Sequence, residues 1–239
     1  LILFLFRKKP YLYLMSSGHE EYKNILGSWS VWIYHLMYLI STTYSKVIVN
    51  HKRLYKKNCY ILKSSRLNEK WFKNINSISL DSIKLLYVGR LNPEKGIYNF
   101  LEIFNKIESK VEFSIVGSIK KTNIKNENIK MLGYIADEDE LIKIYDKHNI
   151  MILPSFTEAQ PYVLDECLSR KRPVIIFEDI DYVIGDREGV IVSKRDAISF
   201  SNSLSYIKEN YYQIQKNMDK NVLPTKKDML KQLAEILSQ

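Results

Sequence analysis

The strongest constraint on this chain is a series of short apolar runs without polar alternation. Leu85-Leu86-Tyr87-Val88, Ile150-Met151-Ile152-Leu153 and Val174-Ile175-Ile176-Phe177 are continuous, the pattern of strands buried on both faces. Val111–Val116, 129–135 and Gly189-Val190-Ile191-Val192 read as further strands. Helical stretches alternate with them. Ile97, Phe100, Leu101, Phe104 and Ile107 recur at the three- and four-residue steps of one helix face, after Asn92-Pro93 as cap and first helical residue. Asp137-Glu138-Asp139-Glu140 opens a second helix with Leu141, Ile144 and Tyr145 on its buried side, and 162–170 is a third. Two helices, near 196–218 and 225–238, follow the last strand. Buried strands alternating with helices predict an α/β fold with a parallel, doubly wound sheet.

The first 65 residues repeat the style less completely. Strands are expected at Tyr11–Leu14, 47–49 and 60–62, with an aromatic-rich helical stretch over 20–44. The division is 1–65 as a partial α/β unit, 66–82 as a polar linker, 83–220 as the complete unit and 221–239 as a helix packing back toward the first unit. In the helix near 26–40, Trp29, Trp32, Ile33, Leu36, Met37 and Ile40 are expected in a core rather than against a membrane.

The net charge of +9 taken alone points to nucleic acid or an anionic surface. Residues 1–82 carry 13 basic and 4 acidic residues, so 83–239 has 23 of each and is neutral. No nucleic-acid motif accompanies the excess, so 1–82 is a candidate surface for an anionic membrane or a lipid-diphosphate acceptor, charge left uncompensated by a missing segment being the alternative. The two cysteines, Cys59 and Cys167, have neither disulfide-framework nor metal-ligand spacing, which suits a reducing, cytoplasmic compartment. The opening apolar run of six residues precedes Arg7-Lys8-Lys9, the wrong length and polarity for a signal peptide or a membrane span. Without Met at position 1, the chain is expected to begin within a domain.

Three local features could carry chemistry. Val88-Gly89-Arg90 and Glu94-Lys95-Gly96 deliver two cations to the carboxyl edge of the sheet, where a diphosphate would bind; solvated loop charges are the alternative. Glu158 lies on a loop after a buried strand, with Glu166 in the following helix. These carboxylates could take sugar hydroxyls beside a phosphate at the helix N-terminus, or be a helix-entry acid and an exposed helical charge. Gly117 ends a strand and allows a close backbone approach, to a ligand or merely in a turn.

Taken in order, Val88-Gly89-Arg90, Glu94-Lys95-Gly96, Ile115-Val116-Gly117, Leu132-Gly133-Tyr134-Ile135, Leu153-Pro154-Ser155, Glu158-x7-Glu166 and Arg172-Pro173-Val174-Ile175 resemble the donor domain of GT-B glycosyltransferases of family 4, the group 1 transferases. The resemblance spans about 84–220. It implies a retaining transfer from a nucleotide-diphosphate sugar to a saccharide or lipid-linked acceptor, in surface polysaccharide or glycolipid synthesis, with the protein cytoplasmic or peripheral at the inner membrane face. Arg90 and Lys95 would then neutralise the donor diphosphate, Glu158 would contact the transferred sugar, Glu166 would bind the ribose, and Tyr134-Ile135 would lie near the base. No tightly bound cofactor and no metal are implied; Asp137-Glu138-Asp139 and Asp179-Ile180-Asp181 match a DxD pattern only literally.

Two departures stand out. Ala159-Gln160-Pro161 follows Glu158 where the family often has Gly-Phe-Gly, so the phosphate-binding amides would be those of Tyr162 and Val163. Arg170-Lys171-Arg172 replaces the usual small residues before the Pro-Val strand. The first unit resembles the end of the family's acceptor domain, and His19 stands where some members carry a cleft-facing histidine; a surface-turn histidine is the alternative. His35, His51 and His148 read as structural. A sugar-nucleotide epimerase and a non-catalytic nucleotide-sugar-binding subunit are the competing functions.

Overall fold

The computed structural model describes residues 9–15, 18–55, 57–75, 80–107, 110–118 and 126–238, with backbone only at 20, 21, 24, 25 and 52. The opening apolar run and Ser16-Ser17 lie outside the described residues. The chain forms two compact units, one of residues 1–66 and 224–239, the other of 67–223.

The larger unit is built on six parallel strands: β4 (Ile83–Val88), β5 (Val111–Val116), β6 (Ile129–Gly133), β7 (Ile150–Leu153), β8 (Val174–Phe177) and β9 (Val190–Ser193), in the order β6-β5-β4-β7-β8-β9. Helices α3 (Ile97–Phe104), α4 (Glu138–Lys147) and α5 (Tyr162–Ser169) make the crossovers, and α6 (Ala197–Met218) follows β9. The chain winds outward from β4 through β5 and β6, then returns to lay β7 on β4's other side. Two loops therefore diverge from the carboxyl ends of adjacent strands β4 and β7, and the crevice between such loops is where ligands of open α/β sheets bind. The apolar runs explain the core: every residue of β7 and β8 is buried, and Phe100 of α3 meets Phe113 and Phe200 edge-on at 5.3 and 5.0 Å.

Two expectations are corrected. The helix predicted to start at Asn92-Pro93 begins at Ile97, because Pro93–Lys95 forms a 3-10 turn closed by Gly96 at φ +64°. The segment 66–82 is no simple linker. Leu67 and Trp71 are buried in the larger core, Asn68 Nδ2 and Trp71 Nε1 donate to the Glu138 carboxylate at 2.8 to 2.9 Å, and Arg170 donates to the carbonyls of Trp71, Lys73 and Asn74. Arg170-Lys171-Arg172 is thus an anchor as well as a turn. Arg170, 1% exposed, also makes a two-pronged contact with Asp146 at 2.7 and 2.8 Å, which offsets burying its charge.

The smaller unit holds parallel strands β1 (Tyr11–Leu14), β2 (Lys46–Val49) and β3 (Tyr60–Ile61) in that order. The crossover from β1 to β2 is two helices, α1 (Gly18–Leu26) and α2 (Ser30–Thr43), rather than one continuous stretch. Gly27 at φ +90° separates them, and Ser30 Oγ donates to the carbonyls of Tyr22 and Gly27 across the bend. The last helix, α7 (Lys226–Leu237), packs on this sheet. Ile236 joins Ile48 and Leu62 in a small core, Tyr11 donates to the Ile236 carbonyl at 2.9 Å, and Gln232 donates to the Ile61 carbonyl of β3 and accepts from Lys63 N just beyond it.

The core expectation for 26–40 is also overturned. In α2 the four-residue stripe Ser30, Tyr34, Tyr38 and Thr42 is buried or half-buried, and Tyr38 donates to the Leu54 carbonyl. Trp29, Trp32, Ile33, Leu36, Met37 and Ile40 are exposed, Trp32 at 79%. Hydrogen-bonding tyrosine and threonine side chains take the inward positions, and the apolar stripe faces out.

Candidate active site

The carboxyl end of β4 is shaped by Tyr87, whose buried hydroxyl donates to the Arg90 carbonyl at 2.6 Å and bends the chain. Burial pushes this phenol far above its ordinary pKa, so it stays a donor. Arg90 itself is exposed. Beyond it, Gly96 is required on two counts: its φ is positive, and a Cβ there would collide with the Pro154 carbonyl oxygen. Gly117 is constrained by space alone: a Cβ there would collide with the Gly89 carbonyl oxygen, so the close approach it permits is between the β4 and β5 loops.

From the β7 side, the loop after Leu153 comes back over the β4 loop. Phe156 N donates to the Glu94 carbonyl at 3.0 Å. Lys95 Nζ and Ser155 Oγ both donate to Glu158 Oε1 at 2.6 Å. Glu158, its side chain 7% exposed, is fixed at its backbone too: Tyr182 OH accepts from its N–H at 3.0 Å and donates to its carbonyl at 2.7 Å. Arg195 binds the carbonyls of Pro154 and Ser155 at 2.9 and 3.1 Å, pairs with Asp179 at 2.6 Å, and lies over the rings of Phe156 and Phe177. Ion pairing, hydrogen bonds and cation–π contacts hold this loop from both sides.

Pro161 caps α5, and Tyr162 and Val163, half-exposed, open its first turn. One turn further in, Glu166 is 8% exposed and accepts from Tyr145 OH at 2.9 Å, so it is no solvated helical charge. Asp165 beside it pairs with Arg187 at 2.7 Å. After β6, Tyr134 is 76% exposed and Ile135 half-buried.

The structure therefore joins Lys95 to Glu158, with Arg90 just beyond the end of β4, the start of α5 just after Glu158, and Glu166 within that helix. Gly117 and Tyr134-Ile135 follow the neighbouring strands β5 and β6. The two DxD-like stretches are occupied otherwise: Asp137 caps α4, Asp139 pairs with Lys70, and Asp179 holds Arg195. Among the described residues no three His, Cys, Asp or Glu side chains form a group that could hold a metal ion. Tyr182 and Arg195 carried no signal in the sequence, since each acts through partners distant in sequence, and Ser155 stood in a motif without a role of its own. Tyr145 was visible only as a core position.

His19 belongs to the smaller unit. Its Nε2 lies 3.2 Å from His35 Nδ1, and its ring meets Tyr34 and Tyr38 edge-on at 4.7 and 5.2 Å. His35 is thus a partner of His19.

The sequence profile of the family described as "Glycosyl transferases group 1" matches residues 82–210, more than half of the chain. The chain belongs to that family. It is 28% identical over 151 residues to the capsular polysaccharide biosynthesis glycosyltransferase CapM of Staphylococcus aureus, a match covering 56% of this chain and 38% of CapM. The matched segment thus spans well under half of that relative's length. Among solved structures, sucrose-phosphate synthase of Thermosynechococcus elongatus aligns with TM-score 0.73 at 17% identity, over 96% of this chain and 67% of the other. Anabaena HepE, solved with UDP and glucose, aligns with TM-score 0.73 at 14% identity, over 99% and 73%. The fold class is that of GT-B glycosyltransferases, as the ordered motifs imply.

The His19 environment sets a pH response. Burial, and secondarily the facing His35, lowers the His19 pKa below its ordinary value near 6.5. A depressed histidine favours folding above its unfolded pKa, and that contribution is lost as pH falls through the folded value. Titration followed by NMR should place the His19 midpoint below 6.5, and His19→Asn should flatten the acid limb of the unfolding curve. A midpoint at or above 6.5 contradicts the assignment.

Proposed function

We propose that this group 1 family member transfers a sugar from a nucleotide-diphosphate donor to a saccharide or lipid-linked acceptor in polysaccharide or glycolipid synthesis, with retention of configuration. The observation that carries the reading is the pair that joins the loops after β4 and β7, the Lys95 ammonium on the Glu158 carboxylate, with Arg90 exposed at the end of β4. Breaking the bond from sugar to diphosphate builds negative charge on the leaving phosphate. Fixed cations and the first turn of α5 stabilise that charge more as it grows, which lowers the barrier. In this scheme Lys95 bridges the leaving phosphate and Glu158, Glu158 faces the transferred sugar, and Arg90 closes over the diphosphate from its exposed position. Glu166 takes the ribose, the amides of Tyr162 and Val163 face phosphate, and Tyr134-Ile135 borders the base. Support comes from family membership and from HepE, a fold relative solved with UDP and glucose.

Release of nucleoside diphosphate from a panel of UDP-, GDP-, ADP- and dTDP-sugars, with and without saccharide acceptors, tests the reading. Lys95→Ala should lower turnover about 100- to 1,000-fold, the usual cost of one preorganised charge-stabilising donor. Glu166→Ala should weaken donor binding about 10- to 100-fold, the loss of hydrogen bonds to a charged group. Unchanged turnover and donor affinity in both variants contradict the assignment.

An anionic membrane surface is the proposed second ligand, because the exposed stripe of α2 sits in the part of the chain that carries the basic excess. No helix among the described residues is long and apolar enough to cross a membrane. Phosphatidylglycerol vesicles should bind the protein at low salt and release it near 1 M, with Trp32→Asp weakening binding; no binding at low salt contradicts it.

A further inference from the structure

Tyr145 carries a polar group that the proposed chemistry leaves unused. It lies on α4 with 0% of its surface exposed. Its ring sits edge-on to Trp71 with centroids 5.5 Å apart, and Trp71 is itself fixed through Nε1 to Glu138 and through its carbonyl to Arg170. The Tyr145 hydroxyl donates to Glu166 Oε2 at 2.9 Å. A phenylalanine would fill the same space without carrying a polar atom into the core, where such an atom is tolerated only when it is hydrogen-bonded. The hydroxyl therefore answers to Glu166, a carboxylate brought inside on the second turn of α5. Burial and the Glu166 charge hold the phenol well above its ordinary pKa, so it remains a donor throughout the neutral range.

We infer that Tyr145 is a positioning residue that sets the plane of the Glu166 carboxylate for the ribose hydroxyls of the donor. The inference rests on the reading of Glu166 as the ribose-binding acid. With Oε2 tied to the hydroxyl of a ring packed on Trp71, which Arg170 anchors through its carbonyl, the carboxylate cannot rotate freely, and a group bound to it meets a pre-set acceptor. Preorganisation of this kind raises affinity by reducing what must be ordered on binding. Trp71 and the backbone that Arg170 grips both come from the stretch that reads as linker in sequence, so that stretch takes part in shaping the donor site.

The test compares, by calorimetry, the affinities for UDP, GDP and ADP with those for the 2′-deoxy forms of the same nucleotides. The ratio of ribose to deoxyribose affinity is taken within one preparation, so a partly unfolded sample does not distort it. The native protein should prefer the ribose form of its nucleotide by about tenfold or more, as expected for a hydrogen bond to a charged group. Glu166→Ala should bring the ratio near one, Tyr145→Phe should lower it several-fold, and adding Tyr145→Phe to Glu166→Ala should lower it no further. Failure to bind any of the nucleotides, a native ratio near one, or a ratio unmoved by Glu166→Ala overturns the Glu166 reading and with it the role of Tyr145. A ratio that Glu166→Ala removes and Tyr145→Phe leaves intact overturns the role of Tyr145 alone. Should Tyr145→Phe fail to fold, Trp71→Phe reads the same ratio while keeping the hydroxyl; a fall supports positioning, and no change overturns it.

Discussion

The larger unit depends on how closely two loops approach where the sheet changes winding direction. β4 and β7 are neighbours in the sheet but far apart in the chain, and their loops meet only because Gly96 leaves room for the Pro154 carbonyl. That approach brings the Lys95 ammonium onto the Glu158 carboxylate at 2.6 Å. Neither charge is fully solvated, so each needs the other while the crevice is free of substrate. An incoming diphosphate would offer Lys95 a second anion without requiring the loops to rebuild.

Around this contact the structure spends its polar groups on rigidity. Tyr182 grips the Glu158 backbone at both its donor and its acceptor, Arg195 ties the Pro154-Ser155 carbonyls to Asp179, and Tyr145 restrains Glu166. Arg170 fastens the 71–74 backbone to α4 through Asp146. Catalysis by charge stabilisation favours such an arrangement, because groups already in place need no reorganisation when charge develops.

Much of this was legible in the sequence because buried parallel strands and amphipathic helices leave local, periodic marks. The unbroken runs at 150–153 and 174–177 located β7 and β8, and Arg90, Lys95 and Glu158 stood out as charges on loops after strands, with Glu166 inside the helix that follows. Contacts between distant residues were not legible. Nothing near Trp71 announces that Glu138 and Arg170 will fix it, so an anchored segment looked like a linker. The apolar stripe of α2 read as core because its hydrophobicity is local, whereas the reason its tyrosines turn inward, the bond from Tyr38 to the Leu54 carbonyl, is not. The need for glycine at position 96 was equally hidden, because the Pro154 carbonyl that a Cβ would strike is far away in sequence.

The most direct test of the central claim is a crystal structure with the tightest-binding ribonucleoside diphosphate. The expected result places the diphosphate over the carboxyl ends of β4 and β7, with Lys95 Nζ about 3 Å from a phosphate oxygen and the Arg90 guanidinium on the same group. A diphosphate bound at any other edge of the sheet, or one that leaves Lys95 paired with Glu158 alone, would contradict it.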